Sequence, residues 1–264
     1  MKWCVIPGIF LLFQNIQAVS VENPFIFTNW PNWPENTWSL DKFHNFVQLP
    51  KETNQDPTRF LLGDANGFVH VYEERNQAFQ EIWLSEFLEG TISGVFVTDI
   101  NADDTAEIVV YTLQGRIHIF NVNDYRNIWS NPLNEYNSIT AMALHNVDED
   151  EQLEMIFCGD GMLIIYDGLN FFEQWRSEQS NIAATEIVIG DVDGDHTDEI
   201  ILNDGFIYDA LFQDLEWQSP ESFGDQLGLL DLDDDGIVEV IGQFRGRTLR
   251  VYDIDLRRQK SPRQ

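Results

Sequence analysis

Four short stretches place oxygen-bearing side chains at alternate positions: "DINADDTAEIVVY" from Asp99, "NVDEDEQLEMIF" from Asn146, "DVDGDHTDEIIL" from Asp191 and "DLDDDGIVEVIG" from Asp231. Counting each loop from its first candidate ligand, the shared pattern is D-x-D-x-D-G-x-x-E running into an apolar stretch. Side chains at alternate positions of a tight loop can converge on one point. Position seven then offers a carbonyl, and the final carboxylate closes the set from the head of a strand. Hard oxygen donors in a flexible loop suit Ca²⁺. Without a cation, carboxylates held this close would repel one another. The candidate ligands are Asp99, Asn101, Asp103 and Glu107; Asn146, Asp148, Asp150 and Glu154; Asp191, Asp193, Asp195 and Glu199; and Asp231, Asp233, Asp235 and Glu239. Solvated acidic turns are the simpler alternative. An EF-hand fits worse, because the closing Glu falls at position nine instead of twelve.

The loops are the punctuation of a repeat. Their first residues, Asp99, Asn146, Asp191 and Asp231, are 47, 45 and 40 residues apart, and regular self-similarity is read before local structure. Each loop leads into an apolar run, a Gly-containing turn at Gly115, Gly161, Gly205 or Gly246, and an alternating run, which together read as a β-hairpin. A weaker copy, "TRFLLGDANGFVHVY" from Thr58, keeps the hairpin and Gly67 but has no acidic loop; Lys51 and Arg59 hold its end positions, so no metal is expected there. Strands ending on Trp83, Trp129, Trp175 and Trp217 follow the first four hairpins, giving about four short strands per unit.

Units of this length and strand count describe propeller blades. The expected fold is all-β, a β-propeller of five blades. The last hairpin has no tryptophan strand after it, while "ENTWSL" around Trp38 is a spare one. The N-terminal strand is therefore expected to complete the last blade and close the ring.

The loop and hairpin together resemble the FG-GAP and VCBS repeats, the propeller repeats of integrin α chains and of many secreted bacterial proteins. The resemblance covers roughly residues 90 to 255. It implies one Ca²⁺ per intact loop, clamping adjacent strands at the propeller rim. Position six, a glycine in that family because the turn tends to need positive φ, is Asp104, Glu151, His196 and Gly236 here. That ranks the fifth-unit loop first, the second and fourth next, and the third last.

The rest of the chain narrows the function. Its 264 residues include 45 acidic and 15 basic ones, a formal charge of −30, which repels phosphate backbones and anionic membranes, so no nucleic-acid partner and no membrane insertion are expected. Residues 1–20 read as a cleavable signal peptide, 21–256 as a single propeller domain and 257–264 as a basic, frayed C-terminal tail. The mature chain is then secreted, extracellular or periplasmic, and a monomer. Cys158 is alone in it and reads as a buried strand residue. His44, His70, His118, His145 and His196 form no zinc or triad pattern. The unit-ending tryptophans read as packing between blades, whereas Trp30 and Trp33 belong to no repeat. The expected function is a non-catalytic module that binds an extracellular protein or glycan through the loops of one face. The alternatives are a scaffold subunit and a five-bladed glycoside hydrolase, whose two carboxylates would line the central channel; Glu186 and Asp225 are the candidates for that role.

Overall fold

The computed structural model describes residues 45–260, apart from positions 52, 54, 149 and 247. The segment read as a signal peptide, Trp30, Trp33 and the Trp38 segment lie outside the described residues. Among the described residues, twenty strands form five four-stranded antiparallel sheets. The first blade comprises β1 (Phe46–Gln48), β2 (Arg59–Gly63), β3 (Val69–Arg75) and β4 (Ala78–Leu84). The second holds β5 (Ile92–Thr98), β6 (Glu107–Thr112), β7 (Ile117–Asn121) and β8 (Asn127–Ser130), and the third β9 (Ile139–His145), β10 (Glu154–Gly159), β11 (Met162–Tyr166) and β12 (Glu173–Arg176). The fourth is built from β13 (Ile187–Gly190), β14 (Glu199–Leu202), β15 (Phe206–Asp209) and β16 (Leu215–Gln218). The fifth has β17 (Gln226–Leu230), β18 (Glu239–Phe244), β19 (Thr248–Asp253) and β20 (Arg258–Lys260). Every strand pairs with its sequence neighbour within its blade, and the first strands of consecutive blades neighbour one another in chain order, as five propeller blades require.

The sequence periodicity explains the packing. Second strands such as β6 and β10 are buried along their whole length, so they read as continuous apolar runs. Residues from facing blades then interlock: Val95, Ile108 and Val110 of the second blade pack with Leu61 and Val71 of the first, while Val109, Ile117 and Ile119 on the other face pack with Met155 and Phe157 of the third. The four tryptophans take the expected place. Trp83, Trp129, Trp175 and Trp217 stand opposite Val71, Ile119, Ile165 and Ile207, directly after the extra residue of a bulge that recurs in all four blades. Each ring reaches aromatic residues of the next unit, as Trp83 does with Tyr125 (5.0 Å) and Trp175 with Tyr208 (5.9 Å). Cys158 is a buried free thiol, pushed far above its usual range by burial. His118 is buried too, with Nδ1 2.8 Å from Ser130 Oγ.

The fifth blade departs from this plan. Its fourth strand is β20, drawn from the segment read as a frayed basic tail, with Lys260 opposite Val251 where the other blades put tryptophan. The edge of β19 needs a partner for its backbone groups, and the nearest chain supplies it across a short turn in which Leu256 N donates to Asp253 Oδ1. The fourth-strand place assigned to the Trp38 segment is thus already filled. The outward face of this blade is also more open. Ile241 and Val251 are half-buried and Leu249 is 66% exposed, whereas Ile201 and Ile207, at the equivalent places of the fourth blade, are fully buried.

Candidate metal centres

Each blade's first strand ends in the loop that leads to its second strand, so the four acidic loops share one end of the molecule. The closing glutamates Glu107, Glu154, Glu199 and Glu239 are each the first residue of a second strand. In the first blade that place belongs to Arg59, which pairs with Glu73 at 3.2 Å. A strand head fixes the backbone of the closing residue, and the apolar run after it buries the side chain. The glutamates are 1%, 0%, 0% and 5% exposed, in chain order.

All four use one oxygen in the same way. The Oε2 atoms of Glu107, Glu154, Glu199 and Glu239 accept the backbone N–H of loop position two, from Ile100, Val147, Val192 and Leu232, at 2.8–3.2 Å. The Oε1 atoms of Glu154 and Glu199 are buried without a hydrogen-bond partner, as is Asp231 Oδ1. A buried carboxylate oxygen left unpaired is costly unless a proton or a cation meets it. Burial pushes the Glu107 and Glu154 carboxyls up to about 7 and that of Glu199 up to about 8; the position-two N–H opposes this, and nearby aspartates add to it.

The aspartates brace the loops. Asp99, Asp191 and Asp231 each accept the N–H of position six at 2.7–3.1 Å. Position-five carboxylates accept the N–H of position seven: Asp103 from Thr105, Asp150 from Gln152, Asp195 from Thr197 and Asp235 from Ile237. Three loops gather carboxylate oxygens within 4.8 Å of one another: Asp148, Asp150 and Glu154; Asp191, Asp193 and Glu199; Asp231, Asp233 and Glu239. Asn146 lies beside the first of these sets, with its Oδ1 accepting from Asp148 N. Asp195 and Asp235 belong to the loops but not to the gathered sets. The second-unit loop forms no such set among the described residues. There Asn101 Nδ2 donates to Asp103 Oδ2 at 3.3 Å, so these two side chains hold each other.

The loop backbones follow the expected strain pattern in part. Position six is left-handed at Asp104 (φ 66°), His196 (φ 75°) and Gly236 (φ 91°), and position four is so at Ala102, Gly194 and Asp234. Glu151 is not among the positive-φ residues. The third loop therefore turns differently, yet it still gathers three carboxylates. Position six alone does not order the loops, because convergence depends on which side chain supplies each oxygen.

At the opposite end lie the hairpin turns and the starts of the first strands. Gly115 (φ +87°) leaves no room for a side chain, since a Cβ there would stand 2.2 Å from Tyr136 O. At two of these turns a polar side chain takes backbone N–H groups, while Asp204 keeps its Oδ1 buried and unpaired. Asp160 accepts from Asn137 and Ser138, and Asn203 Oδ1 from Thr185 and Glu186, at 2.8–3.2 Å. Glu186 and Asp225 line a common cavity at this end. The sequence marked both carboxylates, but the Asn203 clamp carries no motif.

No protein-family model matches the chain, and no curated protein matches it in sequence. Its fold does have counterparts among solved structures. It is similar to BBS1N, in a crystal structure with ARL6DN soaked with lead, with a TM-score of 0.57 at 13% identity over 83% of this chain and 67% of that one. Sqt1 of Saccharomyces cerevisiae gives a TM-score of 0.55 at 14% identity over 81% of this chain, which spans 61% of that protein's chain. At such identity the likeness concerns the fold alone: the chain is an all-β protein of five four-stranded blades, with propellers as its structural neighbours.

Proposed function

We propose that this protein is a secreted, Ca²⁺-stabilised propeller of the FG-GAP/VCBS type that binds an extracellular protein or glycan through one face and performs no catalysis. One observation carries the metal reading: Glu154 and Glu199 each hold a buried, unpaired Oε1 beside two further carboxylates. That donor set is all oxygen and acidic, which is the chemistry Ca²⁺ selects. In this reading Asp148, Asp150 and Glu154, Asp191, Asp193 and Glu199, and Asp231, Asp233 and Glu239 hold the ions. Each ion neutralises its loop and pins the head of a second strand against the end of the first strand.

Recognition follows from the architecture. A stack of blades offers a broad loop-lined face, and BBS1N is a propeller-fold neighbour whose structure is a complex with ARL6DN. This is an analogy of fold, to be judged by experiment. Thermal melts with and without Ca²⁺, followed by a glycan array and a pull-down of extracellular proteins, test the reading. A melt unmoved by Ca²⁺ removes its metal half; a null result in both binding screens removes the other half.

Glycoside hydrolysis is a second reading because Glu186 and Asp225 share a cavity. It predicts polysaccharide cleavage that Glu186→Gln abolishes.

A further inference from the structure

The starts of β5, β9, β13 and β17, one from each of four blades, surround a cavity of about 480 Å³ at the end away from the acidic loops. Its walls are apolar at Phe96, Met142 and Ile187 and acidic at Glu186 and Asp225, and among the described residues no Lys, Arg or His lines it. The two carboxylates come from adjacent blades and are set by one side chain. Asn203, 6% exposed, accepts the backbone N–H groups of Thr185 and Glu186 and donates to Gly224 O at 3.1 Å, next to Asp225. Asp225 Oδ2 in turn accepts the Arg245 backbone N–H, a neutral donor.

We propose that this cavity seats a lysine or arginine side chain presented by a basic segment of a partner protein. The apolar walls suit the alkyl stem, and the two carboxylates suit the charged tip. The overall charge of −30 draws such a segment in from a distance. A sugar is the poorer fit. No tryptophan among the described residues lines the cavity, and its aromatic rings, Phe96 and Tyr111, stack on each other with centroids 6.4 Å apart. Burial holds the Glu186 carboxyl above its usual range against the opposing Leu227 N–H, and an incoming cation offsets that cost.

This site rests on the protein-binding reading but not on its calcium half. The test is calorimetric titration of the Ca²⁺-loaded protein with the peptide Gly-Arg-Gly-Arg-Gly and with its citrulline counterpart. The arginine peptide is expected to bind about tenfold or more tightly than the citrulline one, and Glu186→Gln/Asp225→Asn to remove that difference. Removing the same charge at exposed sites, in Glu74→Gln/Asp124→Asn, should change affinity by less than about twofold. Equal losses in the two double variants would reduce the effect to diffuse charge and overturn the proposal. So would equal binding of the two peptides, a comparison that needs no variant to fold. Polysaccharide binding lost in Glu186→Gln would assign the cavity to sugar. A melt raised by Ca²⁺ together with no peptide binding would sink this proposal alone.

Discussion

The two ends of the first strands surround their buried carboxylates differently. At the hairpin-turn end, Asp160 and Asn203 take backbone N–H groups of the connection that leads into their own blade, and Asp204 takes Ala183 N–H on one oxygen while its Oδ1 stays buried and unpaired. At the acidic-loop end, one oxygen of each closing glutamate is satisfied by the chain, while the second oxygen of Glu154 and of Glu199 is buried and unpaired. What separates the ends is the company of that oxygen: Glu154 and Glu199 each stand within 4.8 Å of two further carboxylates, whereas Asp204 belongs to no such set among the described residues. Counting acidic residues could not make that distinction, because both ends are acidic.

The largest test of this contrast removes the proposed ions. At calcium a hundredfold above its dissociation constant, each occupied site adds about 2.7 kcal/mol, which for a domain of this size is roughly 5–10 °C in melting temperature. Chelation should therefore drop the melt by at least that amount, as read by circular dichroism. At the turn end, Gly115→Ala should cost about 2–3 kcal/mol through its clash with Tyr136 O, with Ca²⁺ stoichiometry unchanged. If that variant also lost calcium, the two ends would not be independent.

A smaller effect follows from protonation. Burial raises the Glu199 carboxyl to about 8, against an ordinary 4.5, so across that window the folded state keeps a proton that the unfolded chain has lost. Metal-free stability should then fall as pH rises from about 5 to about 8, and calcium should flatten the slope. Glu199→Gln should raise the metal-free melt at the upper end of that window while weakening the response to calcium. The smallest effect is expected from Asp104→Gly, which relieves a φ of 66° and should stabilise by up to about 1 kcal/mol without adding a site.

Much of the fold was legible because each blade repeats one physical solution. The tryptophans, the hairpin glycines and the apolar second strands recur at fixed offsets, and they stand in the structure where their spacing placed them. The fifth blade was harder to read, because β20 has no tryptophan and its basic residues look like a solvated end. The loops were legible as donor sets, but not in their geometry. Position six singled out Gly236 and discounted Glu151, yet the third loop gathers its carboxylates through Asp148, Asp150 and Glu154 while Asn101 and Asp103 bind each other in the second. The Asn203 clamp escaped notice because its partners are backbone groups of distant segments.

Calorimetric Ca²⁺ titration of the protein tests the central claim most directly. Three binding events are predicted, one for each gathered set, with one lost in each of Glu154→Gln, Glu199→Gln and Glu239→Gln. An absence of binding heat together with an unshifted melt in calcium would contradict the account, and so would a stoichiometry that none of the three substitutions changes.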